Sequence, residues 1–379
     1  MSRREAVAAD HVFDGSVVHR NAAVLIEGDR IAGVVPRSEL PAAVELRAFD
    51  GAWLAPGFID VQVNGGGDVL FNDDPTPEGI AAIAAAHRRF GTTGLLATLI
   101  TDAPEKMRAA LAAVDEAAAR QPGVLGIHLE GPFLSPERPG VHKLGAIRKP
   151  SDEDVALLTA PRAGVTLLTL APEEVPPGFV GKLARAGIRV ALGHSMATYA
   201  QTQAALAEGL TGFTHLFNAM RPITAREGGP IAAALDCPQA SFGMIVDGVH
   251  VDPAVLRLAL RGRALPMLVT DAMPPVGGKR DTFTLYGEEM TVRDGRCTRR
   301  DGTLAGACLD MAGAVRNAVG LLGVALPEAL RMASRSPAEF LGLGHVLGRL
   351  APGTRADMVA FAPTEMRVLA TWVAGQGTQ

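Results

Sequence analysis

Eight short apolar segments recur between residues 58 and 270, most of them separated by stretches whose apolar residues repeat near every 3.6 positions. The segments are Phe58–Val63, Gly94–Ile100, Val124–Leu129, Val165–Leu170, Arg189–Leu192, Gly212–Leu216, Phe242–Val246 and Met267–Thr270. Between them, "TPEGIAAIAAAHRRF", "PEKMRAALAAVDEAAAR", "PGFVGKLARAG", "TYAQTQAALAEG" and "DPAVLRLALRG" join strong helix formers to an apolar stripe and read as amphipathic helices. Eight strands alternating with helices predict an α/β fold, a (β/α)8 TIM-like barrel. A doubly wound open sheet is the other arrangement that strand counting allows.

The two ends of the chain read differently. "GSVVHRNAAVLIEGDRIAGVV" alternates partly at period two, with Gly28-Asp29 as a hairpin turn, and "LGRLAPGTRADMVAFAP" is a turn followed by a strand from Met358 to Phe361. One small β domain assembled from residues 1–54 and 346–379 is therefore expected around a barrel of residues 55–345. After the eighth segment, "DTFTLYGEEMTVRDGRCTRRDGTLAG" reads as an inserted hairpin with Asp294-Gly295 as its turn.

Composition narrows the function. A net charge of −4 and no run of Lys or Arg give a nucleic-acid partner no electrostatic support. No uninterrupted run of 18 apolar residues occurs, and "MSRREAVAADHVFDG" lacks the apolar core of a signal peptide, so no membrane partner is expected. The three cysteines, Cys237, Cys297 and Cys308, form no CxxC pair, which suits a reducing cytoplasm and argues against a disulfide framework or thiolate zinc site.

Barrel enzymes carry their chemistry at the C-terminal ends of the strands. Here the third segment ends at Glu130, the fifth at His194, the sixth at His215 and Asn218, the seventh at Asp247 and His250, and the eighth at Asp271. The second and fourth end quietly, in "LITD" and "LAPE". Two imidazoles and a carboxylate brought to one rim can hold a zinc ion with an open position for water, whose pKa then falls from about 15.7 to about 7. Satisfied histidines near helix starts are the plain alternative. Asp271 is suited to take a proton from that water and return it to a leaving amine, or else to form a turn. His142 lies in a loop without apolar patterning, where a solvated histidine is the default, and Lys143 and Arg226 are candidate phosphate contacts. His128 alternates with Glu130 and has no evident role. The first strand ends in Gln62 and Asn64, where many barrel metal hydrolases carry two histidines; amides are poor zinc ligands by comparison.

"PGFIDVQVNGGG", "HLEGPFLSPERPGVHKLGAI", "LGHS", "THLFNAM", "IVDGVHVD", "LVTDAM" and "GTLAGA" together resemble the N-acetylglucosamine-6-phosphate deacetylase family of the amidohydrolase superfamily, over residues 50–345. The resemblance implies a barrel with a small β-sandwich from both termini. It implies hydrolysis of the acetamide of N-acetylglucosamine 6-phosphate to glucosamine 6-phosphate and acetate. Glu130, His194 and His215 would hold one divalent metal ion per subunit, zinc by ligand type, with iron, cobalt or manganese tolerated by the same set. Asp271 would be general base and then general acid, and His142 would help polarise the acetyl carbonyl. Asn218, Ala219 and His250 match substrate contacts, and Ala305, Gly306 and Ala307 match a loop that touches the sugar. Arg226 matches a phosphate-binding arginine reached from a neighbouring subunit, which implies a homodimer. A Gln-x-Asn first strand accompanies one-metal sites in that family, with Gln62 and Asn64 as hydrogen-bonding neighbours. The remaining alternatives are a deacetylase of N-acetylgalactosamine 6-phosphate, a cyclic-amide hydrolase, and a non-catalytic scaffold on the same barrel. The scaffold would be expected to have lost the metal ligands or the aspartate, and all four residues are present.

Overall fold

The computed structural model describes residues 4–41 and 44–378; the parts of the terminal-domain expectation at residues 1–3, 42–43 and 379 lie outside them. The chain divides into two compact units, one of residues 1–60, 87–94 and 310–379, the other of 61–86 and 95–309.

The first unit contains a seven-stranded sheet in the order Gln376–Gly377, Arg367–Val373, Met358–Ala362, Glu45–Pro56, Arg4–Phe13, Val18–Glu27, Arg30–Pro36. Chain ends that are remote in sequence thus share one sheet: Met358 to Phe361 pairs antiparallel with Pro56 to Trp53. The expected hairpin turns at Gly28, which adopts φ +65° between paired Glu27 and Arg30. Its core includes Val7, Val24, Ile26, Leu54, Met358 and Trp372. Three helices that the sequence reading did not single out follow in this unit, Met311–Leu322, Leu326–Ala333 and Arg335–Phe340.

The eight-stranded sheet runs Leu265–Leu268, Ser241–Met244, Gly212–Phe213, Arg189–Leu192, Val165–Leu170, Val124–Glu130, Thr92–Ile100, Phe58–Val63. At the C-terminal end the last strand turns back to the first: Asp271 N–H donates to Gln62 O at 3.0 Å, and Val63 bridges Ala272 in parallel. This nearly closed parallel sheet is the (β/α)8 barrel and not the open alternative. Its first three strands, Phe58–Val63, Thr92–Ile100 and Val124–Glu130, are buried along their length, which is why they read as near-continuous apolar runs. Helices fill the crossovers, including two that were not anticipated, Asp152–Thr159 and Gly229–Asp236. The first of these opens on a capping box of Ser151 and Asp154. The sixth, seventh and eighth strands end two or three residues earlier than expected, because the backbone leaves the ladder where it turns to present rim side chains.

Gly126 sits in the middle of the third strand with φ +151°, and a Cβ there would lie 1.9 Å from Val165 O. That obstacle is backbone of the neighbouring strand and cannot rotate away. Gly126→Ala is expected to cost roughly 2–6 kcal/mol from strain and overpacking. The thermal midpoint of the metal-loaded protein should fall by roughly 2–8 °C; an unchanged midpoint would remove the constraint.

After the eighth strand the inserted segment forms more than the expected hairpin. Thr282–Leu285, Glu288–Arg293, Arg296–Thr298 and Leu304–Ala307 make a four-stranded antiparallel sheet. Asp294 and Gly295, both with positive φ, form the expected turn within it.

Candidate active site

Glu130 ends the third strand, and His194 and His215 each lie two residues beyond a strand end, at Leu192 and Phe213. The Nε2 atoms of His194 and His215 lie 3.0 and 2.9 Å from Glu130 Oε1, and 3.2 Å from each other. His194 Nδ1 is 2.8 Å from the carbonyl of Arg138. A carbonyl only accepts, so Nδ1 carries the ring proton and Nε2 presents its lone pair to the cluster. A lone pair, a second imidazole nitrogen and a carboxylate oxygen, all buried and within 4.8 Å of one another, form a donor set that fits a divalent cation. Burial alone would raise the Glu130 carboxyl, but the three imidazoles around it, His142, His194 and His215, hold it well below its ordinary value.

Gln62 and Asn64 face this cluster as donors. The Gln62 amide donates to Asp271 Oδ1 at 3.1 Å and to Glu130 Oε2 at 3.2 Å, and the Asn64 amide donates to Asp271 Oδ1 at 2.7 Å. Turning either amide over would set its oxygen against a carboxylate oxygen. The first strand therefore holds the carboxylates in place. Burial, reinforced by the nearby Glu130 charge, pushes the Asp271 carboxyl up to about 6.

Asn64, Glu130, His194, His215 and Asp271 line one cavity of about 230 Å³ together with His142, Asn218, Ala219, His250 and Gly306. His142 Nε2 lies 3.8 Å from Glu130 Oε1, and burial, followed by the neighbouring His194, lowers its pKa to about 4. His250 Nδ1 is 2.6 Å from Asp247 Oδ2, so Asp247 orients that ring. Ala305 and Ala307 are buried beside the cavity and do not line it; Ala307 N–H donates to Asp271 O at 2.9 Å. Arg226 and Lys143 are exposed and do not line it either. His128 is a satisfied core histidine, with Nε2 at 2.7 Å from Thr169 Oγ1 and Nδ1 at 3.3 Å from Thr98 Oγ1.

The sequence reading did not point to Thr303 and Leu304 of the inserted sheet, or to Ile100, Gly140, Val141 and Met273, all of which line the cavity. Nor could it show the backbone: His194, His215, Ala219 and Asp271 have φ of +49°, +31°, +49° and +52°. Non-glycine residues rarely adopt this region, and such strain gathers at functional sites.

A model of the amidohydrolase family matches residues 53–377, and a NagA composite domain model matches residues 8–54. The chain belongs to the amidohydrolase family. Members of that superfamily typically depend on a divalent metal, and the Glu130–His194–His215 cluster is where this amidohydrolase could hold one. It is 43% identical over 327 residues to an N-acetylgalactosamine-6-phosphate deacetylase of Shewanella sp. (strain ANA-3), covering 85% of this chain and 82% of that protein. It is 35% identical over 365 residues to an N-acetylglucosamine-6-phosphate deacetylase of Haemophilus influenzae, covering 95% of each. The solved structure of an N-acetylglucosamine-6-phosphate deacetylase from Pasteurella multocida superposes with a TM-score of 0.96 at 36% identity, covering 99% of both chains.

Proposed function

We propose that this amidohydrolase removes the acetyl group of N-acetylglucosamine 6-phosphate, giving glucosamine 6-phosphate and acetate. The observation that carries the reading is the convergence of Glu130, His194, His215, His142 and Asp271 on one cavity. Glu130, His194 and His215 would hold a divalent cation, which when bound would supply Lewis acidity to an amide carbonyl and to water at neutral pH. Asp271, raised towards neutrality and fixed by two amide donors, takes a proton from the attacking water. His142 faces the same space and donates a hydrogen bond to the carbonyl oxygen as negative charge grows on it. Asp271 then hands its proton to the departing amine nitrogen, and the C–N bond breaks. Asn218, Ala219, His250 and the Ala305–Gly306–Ala307 loop would contact the sugar.

One ion per subunit, with zinc first among the candidates, is supported by the donor role of Gln62 and Asn64, whose amides point N–H groups at the carboxylates. Arg226 is assigned to the substrate phosphate of a neighbouring subunit in a homodimer. This is supported by its exposure outside its own chain's cavity and by the absence of a guanidinium partner among the described residues. A cytoplasmic location is supported by Cys237, Cys297 and Cys308 standing as thiols rather than in disulfides; among the described residues no helix is long and apolar enough to cross a membrane. The domain bounds of 55–345 and of 1–54 with 346–379 are supported by the terminal strands sharing one sheet and, at the N-terminal bound, by the two family models meeting at residues 53–54, whereas the compact units place residues 310–345 with the terminal strands.

N-acetylgalactosamine 6-phosphate is the second reading, favoured by the 43% identity to a deacetylase of that epimer. Acetate release measured on both 6-phosphates, with unphosphorylated N-acetylglucosamine as control, decides between them. A higher kcat/KM on the glucosamine epimer is expected. A higher value on the galactosamine epimer would establish the second reading, and no release from either would overturn both.

A further inference from the structure

We propose that Thr101 is a positioning residue that fixes His142 in the tautomer with its proton on Nε2, the nitrogen facing the Glu130–His194–His215 cluster. This rests on the catalytic reading of His142 given above.

Thr101 follows directly on the second barrel strand, Thr92–Ile100, at an end that carries no obvious reactive side chain. Its backbone N–H donates to His142 Nδ1 at 3.3 Å, and its hydroxyl lies 2.8 Å from the same nitrogen. An amide N–H has no lone pair to offer, so a proton on Nδ1 would face another proton. Nδ1 is therefore the acceptor, the hydroxyl is its second donor, and the ring proton of the neutral imidazole resides on Nε2. The opposite order, with Nδ1 donating to the hydroxyl and the hydroxyl to Glu130 O at 3.2 Å, leaves that N–H opposed.

The surroundings hold Thr101 in this pose. Gly131 packs so closely that a Cβ there would sit 2.2 Å from the Thr101 hydroxyl. On the other side of the peptide, the Tyr286 hydroxyl from the inserted sheet donates to the Thr101 carbonyl. A group meant to donate a hydrogen bond to a developing oxyanion must carry its proton on the facing nitrogen before substrate arrives, and Thr101 imposes that order. The side chain acts through His142 and does not line the cavity.

Thr101→Val keeps the shape, removes the hydroxyl donor and leaves only the longer amide contact. In the zinc-loaded enzyme it is expected to lower kcat by about 10–100-fold, as loss of an orienting partner does, with KM changed less than about threefold. Thr101→Ser is expected to restore most of the loss. Nitrogen-15 histidine spectra of the zinc-loaded wild type should show His142, identified by its disappearance in His142→Asn, protonated on Nε2. A wild-type His142 protonated on Nδ1 would overturn the proposal whether or not the valine variant folds. So would an undiminished kcat in Thr101→Val alongside a crippled His142→Asn. Full turnover in His142→Asn would instead remove the catalytic reading of His142 on which the proposal stands.

Discussion

Asp271→Asn should fold, load metal and lose roughly 10³-fold in kcat, within the ~10²–10⁴ range for removal of a general acid–base group. The substitution suits the site. Asp271 sits at φ +52°, a conformation asparagine tolerates well. The asparagine carbonyl can still accept from Gln62 and Asn64, which donate at 3.1 and 2.7 Å to one oxygen of the native carboxylate. What disappears is the proton acceptor. The same residue sets a pH signature, since a base works only when ionised. Burial and Glu130 raise the Asp271 carboxyl to about 6. A cation at the cluster pulls it down. Activity should therefore be lost as pH falls through a value at or below about 6, and this acid limb should vanish in the variant. Near wild-type turnover with an unchanged acid limb would take Asp271 out of the mechanism.

Glu130→Gln should be as damaging by a different route, through loss of the metal. Glu130 Oε1 faces both ring nitrogens of the cluster, and Oε2 accepts from Gln62. A glutamine can satisfy only one side. With its oxygen towards the histidines, its NH₂ opposes the Gln62 amide; reversed, the NH₂ points into the metal position. Orienting partners alone are worth ~10–100-fold in affinity, so loss of this ligand should exceed ~100-fold. Metal content after dialysis should drop to trace and acetate release with it. Retention of a full equivalent of metal would mean that Glu130 is not a ligand.

Much of this site could be read from residue type and position, and the reasons are physical. Parallel strands covered on both faces appear as apolar runs, so a rim residue such as Glu130 or His215 stands out as a polar group after one. The role of Gln62 and Asn64 was half legible. Their amide chemistry argued against metal ligation, but only the fold shows them donating to Asp271. Thr101 was invisible because a threonine after a β-branched strand looks like sheet. The left-handed backbone at His194, His215 and Asp271 leaves no mark either, since glycine and asparagine are the usual signs of positive φ. Thr303 and Leu304 reach the cavity through an antiparallel insert whose course no periodicity encodes. The helix Asp152–Thr159 carried a legible start, Ser151 with Asp154, but at eight residues it was too short for a clear 3.6-residue repeat.

The most direct test is titration of metal-depleted enzyme with zinc, following bound metal per chain and acetate release from N-acetylglucosamine 6-phosphate together. Activity should rise from near zero and level off at one ion per chain, with Gln62 and Asn64 holding Asp271 in place of a second ion. Full activity without metal, or a requirement for two ions per chain, would contradict the account.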